Sequence, residues 1–144
     1  MTNRAARDEI VHASAVACAA QAVLITGRSG SGKSALALQL MGLGGTLVSD
    51  DQTILTRKDD ALFASAPAAT RGLIEARFVG LLAVDRVPRA RVSLVIDMDQ
   101  IETHRLPPER TTVLCGITLP CLYKVEGPHF PSAVIHLLRS GRVA

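Results

Sequence analysis

The sequence predicts an α/β fold built around a glycine-rich loop, and three observations support this. Residues 22–26 are continuously apolar at the centre, as in a buried strand, and they lead directly into the loop at residues 27–34. The loop fits the pattern G-x-x-x-x-G-K-S at every fixed position, and residues 35–41 after it have helix-forming, apolar composition. Further short apolar segments alternate with turn residues, so we predict a P-loop nucleotide-binding domain with a mixed β-sheet and flanking helices.

The glycine-rich loop has the composition of an anion cradle. Glycine lets the backbone curl so that several N–H groups point at one anion, and a helix N-terminus adds partial positive charge. Lys33 is expected to reach the β- and γ-phosphates, and the Ser34 hydroxyl is expected to bind Mg²⁺. The alternative is a strand-to-helix turn without a ligand, which the agreement of strand, loop and helix disfavours. The residues predicted to bind the nucleotide are Gly27, Arg28, Ser29, Gly30, Ser31, Gly32, Lys33 and Ser34.

Length and composition limit the other possibilities. We expect one domain over residues 1–144, without a separate N-terminal domain. No apolar run approaches the roughly 20 residues of a membrane helix, and no secretory signal is visible. A net charge of +3 and only four aromatic residues, three Phe and one Tyr, argue against nucleic-acid binding. The cysteines (Cys18, Cys115 and Cys121) lack zinc-type spacing, which predicts reduced thiols in the cytoplasm.

The segment before the loop supplies one candidate site residue. Residues 9–17 alternate roughly and predict a strand, with a break near residues 19–21. Pairing of this strand with residues 22–26 would bring His12 towards the phosphate loop. A lone histidine in a strand is more often packed or solvated than catalytic.

Two adjacent carboxylates, Asp50 and Asp51, follow the predicted strand at residues 46–49. Ligands collect at the carboxyl ends of strands in α/β sheets. Because side chains alternate, one carboxylate is expected to face the γ-phosphate and the acceptor, and the other a metal or the backbone. A solvated turn is the alternative.

The next region is predicted to be mostly β-structure. Residues 53–56 and 61–64 predict a hairpin. In the apolar segment at residues 73–84, a strand would place Glu75 and Arg77 on one face, where they could hold metal and phosphate respectively. A surface ion pair is the competing interpretation.

The last third of the chain offers a weaker metal candidate. Residues 92–97 predict a buried strand ending in Asp97, the best match to a Walker B strand, although an Asp that ends a strand is also ordinary turn chemistry. We predict a loop at residues 99–110, a strand at residues 112–120 and an amphipathic helix at residues 132–139.

Three of these segments, taken in order, resemble the catalytic domain of bacterial HPr kinase/phosphorylase. They are the loop with upstream His12, Val-Ser-Asp-Asp at residues 48–51, and Leu-Ile-Glu-Ala-Arg at residues 73–77. The resemblance runs from about residue 12 to residue 119. It implies a P-loop domain of the phosphoenolpyruvate carboxykinase-like type, usually hexameric. It also implies ATP- and Mg²⁺-dependent phosphorylation of a serine on HPr, a phosphocarrier of the sugar phosphotransferase system, and phosphorolysis of the product.

The resemblance also implies catalytic roles. Asp50 would be the general base that takes the serine proton, and His12 would sit beside it. Lys33 and Arg105 would stabilise phosphoryl charge, consistent with what phosphoryl transfer demands.

The metal would be held by Ser34 and Glu75, with Asp51 as a further carboxylate near the metal. Phe78 stands where the family's third motif usually has glycine. Two other functions stay open, a small-metabolite kinase and a nucleotide sensor without catalysis. Only a catalyst needs a carboxylate base near the γ-phosphate.

Overall fold

The computed structural model describes residues 8–144, which form two α-helices, a short 3-10 helix at Ala68–Thr70, a nine-stranded mixed sheet and a separate two-stranded hairpin. The α-helices are α1 (Lys33–Gly42) and α2 (Phe130–Ser140). The strands are β1 (Asp8–Val11), β2 (Ala13–Cys18), β3 (Gln21–Thr26), β4 (Thr46–Ser49), β5 (Thr53–Lys58), β6 (Ala61–Ser65), β7 (Leu73–Ala76), β8 (Gly80–Ala83), β9 (Arg89–Ile101), β10 (Thr111–Leu114) and β11 (Ile117–Lys124). Strands and flanking helices together make the α/β fold that the sequence predicts.

The 13-residue strand β9 is the strand to which most of the sheet is joined. It pairs in parallel with β3 and with β11, and antiparallel with β6. On the far side of β3, the order continues through β2 to β4. The carboxyl ends of the parallel strands β3, β9 and β11 therefore meet at one edge of the sheet, which is where the phosphate loop begins.

Two apolar clusters lie on opposite faces of this sheet. In β3, Val23 and Ile25 belong to the cluster that both helices cover, while Ala22 and Leu24 belong to the other. This alternation is what a strand buried on both faces requires. The second cluster includes Leu55 and Leu62 of the β5–β6 hairpin, so the curled sheet itself covers the face that has no helix.

Several predicted elements are confirmed, with small differences in length. The helix after the loop is α1, the strand before the two aspartates is β4, and the predicted hairpin is β5 with β6. The terminal helix is α2, which begins two residues earlier than predicted. Among residues 8–144, neither helix is both long and apolar enough to cross a membrane.

Three predicted strands differ from the structure. Residues 9–17 are split at His12, because β1 leaves β2 and pairs with β5. The segment 112–120 is a hairpin whose turn holds Cys115 and Gly116 at positive φ, 51° and 78°. Two consecutive positive φ values are typical of a tight hairpin turn. Strand β9 also continues to Ile101, within the predicted loop, because β11 pairs with its end.

The segment 73–84 is a hairpin rather than one strand. Val79 N donates to Ala76 O across 2.9 Å and closes the turn between β7 and β8. Arg77 lies in this turn, so it does not share a strand face with Glu75 as predicted. Phe78 takes φ 68° in the same turn and its side chain is fully exposed.

Candidate functional site

The phosphate loop lies between the end of β3 and the start of α1. Its glycines adopt φ values of 144° at Gly27, 83° at Gly30 and 101° at Gly32, which other residues rarely take. A Cβ at Gly27 would lie 2.6 Å from Ser31 Oγ, so only glycine fits there. Gly32 is the N-cap of α1, and the free N–H groups of the helix start therefore face the loop.

Lys33 is a buried cation inside this loop. Its side chain follows the loop inward, the residue is only 6% exposed, and Nζ donates to Arg28 O across 2.9 Å. An ammonium group has three donors, and this contact uses one of them. The remaining donors are available to an anion held by the loop.

A cavity of about 470 Å³ opens beside Lys33, between α1 and the β7–β8 hairpin. Its lining brings together five side chains from three separate segments: Lys33, Ser34, Asp51, Glu75 and Arg77. Two cationic groups, two carboxylates and a hydroxyl thus converge on one space.

Asp50 is buried, and its carboxylate accepts hydrogen bonds from three neighbouring segments of the chain. It is 6% exposed, and Oδ1 accepts hydrogen bonds from Ser14 Oγ at 2.8 Å and from Ser34 Oγ at 2.7 Å. Oδ2 accepts from Glu75 N at 3.2 Å. Asp50 therefore ties β2, α1 and β7 together beneath the cavity.

Asp51 points the other way, as alternation of the two carboxylates predicts. Its side chain is 65% exposed, and Oδ1 lies 2.8 Å from His12 Nε2. The backbone at Asp51 has φ 67°, and Ser14 Oγ accepts a hydrogen bond from its N–H. The hydrogen-bond partner of His12 is thus Asp51, whereas the resemblance implied a position beside Asp50.

Glu75 and Arg77 reach the cavity from the β7–β8 hairpin. The hydrogen bond from Glu75 N to Asp50 Oδ2 holds β7 in place. The Glu75 side chain is exposed and lines the cavity. Arg77 lines the same cavity from the turn. The two residues meet at the site although they do not share a strand face.

Two predicted residues lie elsewhere. Arg105 is exposed on the loop between β9 and β10 and is not part of the cavity lining. Asp97 is half-buried on β9, where its Oδ1 accepts a hydrogen bond from Asp99 N at 3.0 Å. The carboxylate that touches the loop serine is Asp50, which is the contact expected of a Walker B acid.

Three contacts were not anticipated from the sequence. Ser14 bridges the two aspartates, Asp99 accepts from Arg28 N at 3.1 Å, and Lys124 Nζ donates to Ser31 O at 3.4 Å. Strand pairing brings each of these residues to its partner, so the local sequence gives little sign of the contacts. The one signal is the position of Asp99, two residues after Asp97.

The polar groups around the loop are of the kinds that bind a polyphosphate and Mg²⁺. The helix start and Lys33 supply hydrogen-bond donors to phosphate, while Ser34, Asp51 and Glu75 supply the oxygen ligands that Mg²⁺ prefers. Across residues 8–144, no group of three or more His, Cys, Asp or Glu side chains could hold a metal unaided. Mg²⁺ usually keeps waters and phosphate oxygens among its ligands, so the few side-chain oxygens at the loop could hold it together with a bound polyphosphate.

Comparison with known proteins identifies the family of this chain. The family model described as HPr Serine kinase C-terminal domain matches residues 3–114. The HPr kinase/phosphorylase of Mycoplasmopsis pulmonis is 32% identical over 102 residues, which cover 66% of this chain and 33% of that protein. The HPr kinase/phosphorylase of Geobacillus thermodenitrificans is 42% identical over 85 residues, which cover 54% of this chain and 28% of that protein.

A solved structure is similar over most of the chain. It is the Hpr(Ser) kinase/phosphatase from Coxiella burnetii, with a TM-score of 0.76 and 27% identity, covering 91% of this chain and 88% of that one. The chain spans only about a third of the length of the curated relatives named above (33% and 28%). The family match covers more than half of this chain, and the chain belongs to the HPr serine kinase C-terminal domain family.

Proposed function

We propose that this chain is an ATP- and Mg²⁺-dependent kinase that phosphorylates a serine of an HPr-like phosphocarrier in the cytoplasm, and that also catalyses phosphorolysis. The observation that carries the proposal is the Asp51 carboxylate, which is paired with His12 and lines the same cavity as Lys33 and Ser34. The names of the relatives supply the acceptor. The proposal includes the phosphoenolpyruvate carboxykinase-like P-loop type and a hexamer, both from the family resemblance.

We assign the proton transfer to Asp51 rather than to Asp50. The Asp50 carboxylate is buried and already accepts three hydrogen bonds, so it has no access to an incoming serine. The Asp51 carboxylate is exposed on the cavity and is held by His12. As the serine Oγ–phosphorus bond forms and the bond from the γ-phosphorus to the bridging oxygen breaks, ADP leaves and the hydroxyl proton passes to Asp51.

Charge on the transferred group is stabilised by the cations that line the cavity. Lys33 has free donors inside the loop, and Arg77 faces the same space from the hairpin turn. Arg105, to which the resemblance gives this role, contributes only if the loop between β9 and β10 approaches the cavity. Arg77 is therefore our assignment for the second cation in this chain.

Ser34 and Glu75 are the proposed metal ligands, and Asp50 orients the Ser34 hydroxyl. Mg²⁺ bound with ATP supplies a Lewis acid that neutralises charge on the phosphates. The chain's part is to present one hydroxyl and one carboxylate at a fixed spacing. The Glu75 N to Asp50 Oδ2 bond and the Ser34 Oγ to Asp50 Oδ1 bond set that spacing.

The test is transfer of the γ-phosphoryl group from labelled ATP to purified HPr, with the acceptor residue identified by mass spectrometry. Wild-type protein is expected to label one serine, and Lys33→Met is expected to lose labelling and bind ATP more weakly. Lys58→Met, at an exposed position of the β5–β6 hairpin, is the matched control and should behave as wild type. Binding of ATP without transfer to HPr would contradict the proposal. A panel of small molecules run in parallel would then separate a nucleotide sensor from a small-metabolite kinase.

A further inference from the structure

Three large apolar side chains lie exposed on the β7–β8 hairpin: Phe78, Val79 and Leu81, together called the hairpin patch. Their exposed fractions are 100%, 76% and 68%. Phe78 and Val79 are consecutive residues of the turn, and Leu81 follows in β8. Single exposed apolar residues are common on protein surfaces, whereas clustered ones are typical of a surface that binds a partner.

The hairpin patch takes no part in the core, because the hairpin uses other residues to pack against the domain. Ile74 is fully buried, and its cross-strand partner Leu82 packs against the cluster that the helices cover. Glu75 pairs with Leu81, and paired residues of an antiparallel hairpin place their side chains on the same face. Since Glu75 lines the cavity, Leu81 lies on the face of the hairpin that is turned towards the cavity.

Phe78 has an unfavourable backbone conformation without burial inside this chain. Its φ is 68°, and its side chain is fully exposed. Glycine or asparagine would adopt this conformation at lower cost, so the turn does not require an aromatic residue. A contact of the ring with another molecule would account for its presence there.

The hairpin patch lies at the rim of the cavity that holds the proposed base and metal ligands. Arg77 and Val79, the residues on either side of Phe78, both line that cavity. In the proposed reaction the acceptor is a folded protein, and its serine has to enter the cavity to reach the phosphoryl group and Asp51. The protein surface around that serine then faces the rim and covers the hairpin patch.

Other occupants fit this position less well. A small-molecule acceptor would enter the cavity and leave the hairpin patch in water. A second copy of this chain seated on the hairpin patch would cover the same rim and keep a protein acceptor out of the cavity. The position at the rim therefore favours the acceptor protein itself.

We propose that the hairpin patch is the docking surface for the acceptor protein, and that it contacts apolar side chains beside the serine that is phosphorylated. This inference rests on the proposed function for the identity of the acceptor. The same contact serves phosphorolysis, because the phosphorylated protein has to bring the same serine into the cavity. Burial of an exposed aromatic ring at an interface strengthens binding by about 10-fold or more.

The test measures the kinetics of transfer to purified HPr and the binding of HPr by calorimetry, both on the full chain. Phe78→Asn removes the ring and keeps a residue that accepts positive φ, whereas Phe78→Tyr keeps the ring. Leu81→Thr removes a second apolar side chain and suits a strand. The control is Val113→Thr, at an exposed apolar position of β10 outside the cavity lining.

We expect Phe78→Asn to raise the KM and the Kd for HPr about 10-fold, and Leu81→Thr to raise them about threefold. The kcat should change less than twofold, because the lost contacts are equally strong before and during transfer. Phe78→Tyr and Val113→Thr should behave as the wild type does. The KM for phosphorylated HPr in phosphorolysis should rise in the same ratio, and ATP affinity should not change. A thermal melt verifies that each variant is folded.

An unchanged KM and Kd for HPr in Phe78→Asn would overturn the inference, and so would an equal rise in Val113→Thr. A fall in kcat at unchanged KM would overturn it too, because Phe78 would then affect the geometry of the reacting groups. Light scattering gives the mass of the assembly, and its dissociation in Phe78→Asn would assign the hairpin patch to contacts between copies instead.

Two further outcomes separate this inference from the proposed function. Binding of HPr that depends on Phe78, with no transfer by the wild type, would refute the proposed function and leave the docking surface standing. Wild-type protein that neither binds nor phosphorylates HPr would refute both.

Discussion

The Ser34 hydroxyl donates a hydrogen bond to Asp50 Oδ1 across 2.7 Å, and this contact joins the start of α1 to the end of β4. The same carboxylate accepts from Glu75 N, so both proposed metal ligands depend on one buried side chain. Asp50 therefore acts on the metal through Ser34 and Glu75, and the exposed Asp51 is left free for the acceptor.

The first prediction concerns the metal. Ser34→Ala removes one oxygen ligand, and Glu75→Gln keeps an oxygen but removes the negative charge of the ligand. Each should raise the Mg²⁺ concentration for half-maximal activity by about 10-fold or more. The matched control is Asp97→Asn, because Asp97 bonds Asp99 N and lies outside the cavity lining. The measurement is activity as a function of Mg²⁺ concentration at saturating ATP, which gives the half-maximal Mg²⁺ concentration of each of the three variants. If only Asp97→Asn raised the required Mg²⁺ concentration, the metal would be bound at Asp97 on β9 and not by Ser34 and Glu75.

The second prediction concerns the pH dependence of stability at the loop between β9 and β10. Glu102, whose side chain is 7% exposed, accepts hydrogen bonds from Arg110 Nε and Nη2, each at 2.9 Å. The Arg110 hydrogen bonds hold the pKa of Glu102 at about 2, below its usual 4.5. Because the folded pKa is the lower one, the stability from this pair is fully present above pH 4.5 and is lost as pH falls towards 2.

The variant Glu102→Gln has no carboxylate at this position, so it lacks the contribution of Glu102 to the pH dependence of stability. Urea unfolding at a series of pH values should therefore show the free energies of wild type and variant converging between pH 4.5 and 2. Parallel curves over this range would mean that the Glu102–Arg110 pair does not stabilise the fold.

The third prediction concerns Phe78, which holds a left-handed backbone conformation in the β7–β8 turn. Its φ is 68° and its side chain is 100% exposed, so it gains no burial in return for the strain. Phe78→Gly should raise the free energy of unfolding by about 1 kcal/mol. Val79→Gly, one residue later at negative φ, should lower it, because glycine then only adds freedom to the unfolded chain. A lower stability in Phe78→Gly would show that the exposed ring is stabilised by contacts of its own.

The elements with strong local patterns were predictable. The glycine pattern and the apolar residues around it fix β3, the loop and α1, because the chemistry of that motif is contained in consecutive residues. The turn at Cys115 and Gly116 was missed, since Cys rarely adopts positive φ and the single Gly116 was the only turn signal in the segment. Arg77 was misplaced for a similar reason, because no typical turn residue precedes Gly80 in the apolar segment.

The composition of the site was easier to predict than the direction of each side chain. Alternation predicts that Asp50 and Asp51 face opposite ways, but which one is buried depends on Ser14 of β2 and on the backbone of β7. Those partners are 36 and 25 residues from Asp50 along the chain. The same limitation hid Lys124, which reaches the loop only through the pairing of β11 with β9.

The most direct test of the account is a paired measurement on Asp51→Asn and Asp50→Asn, with ATP binding by calorimetry and transfer to the HPr serine followed together. We predict that Asp51→Asn binds ATP as the wild type does while transfer falls by about 100-fold or more, the usual scale for a general base. Asp50→Asn should instead lose stability, by about 1–3 kcal/mol, and bind Mg²⁺ and ATP more weakly, because a buried acceptor of three hydrogen bonds is disrupted. Full transfer activity in Asp51→Asn would contradict the mechanism.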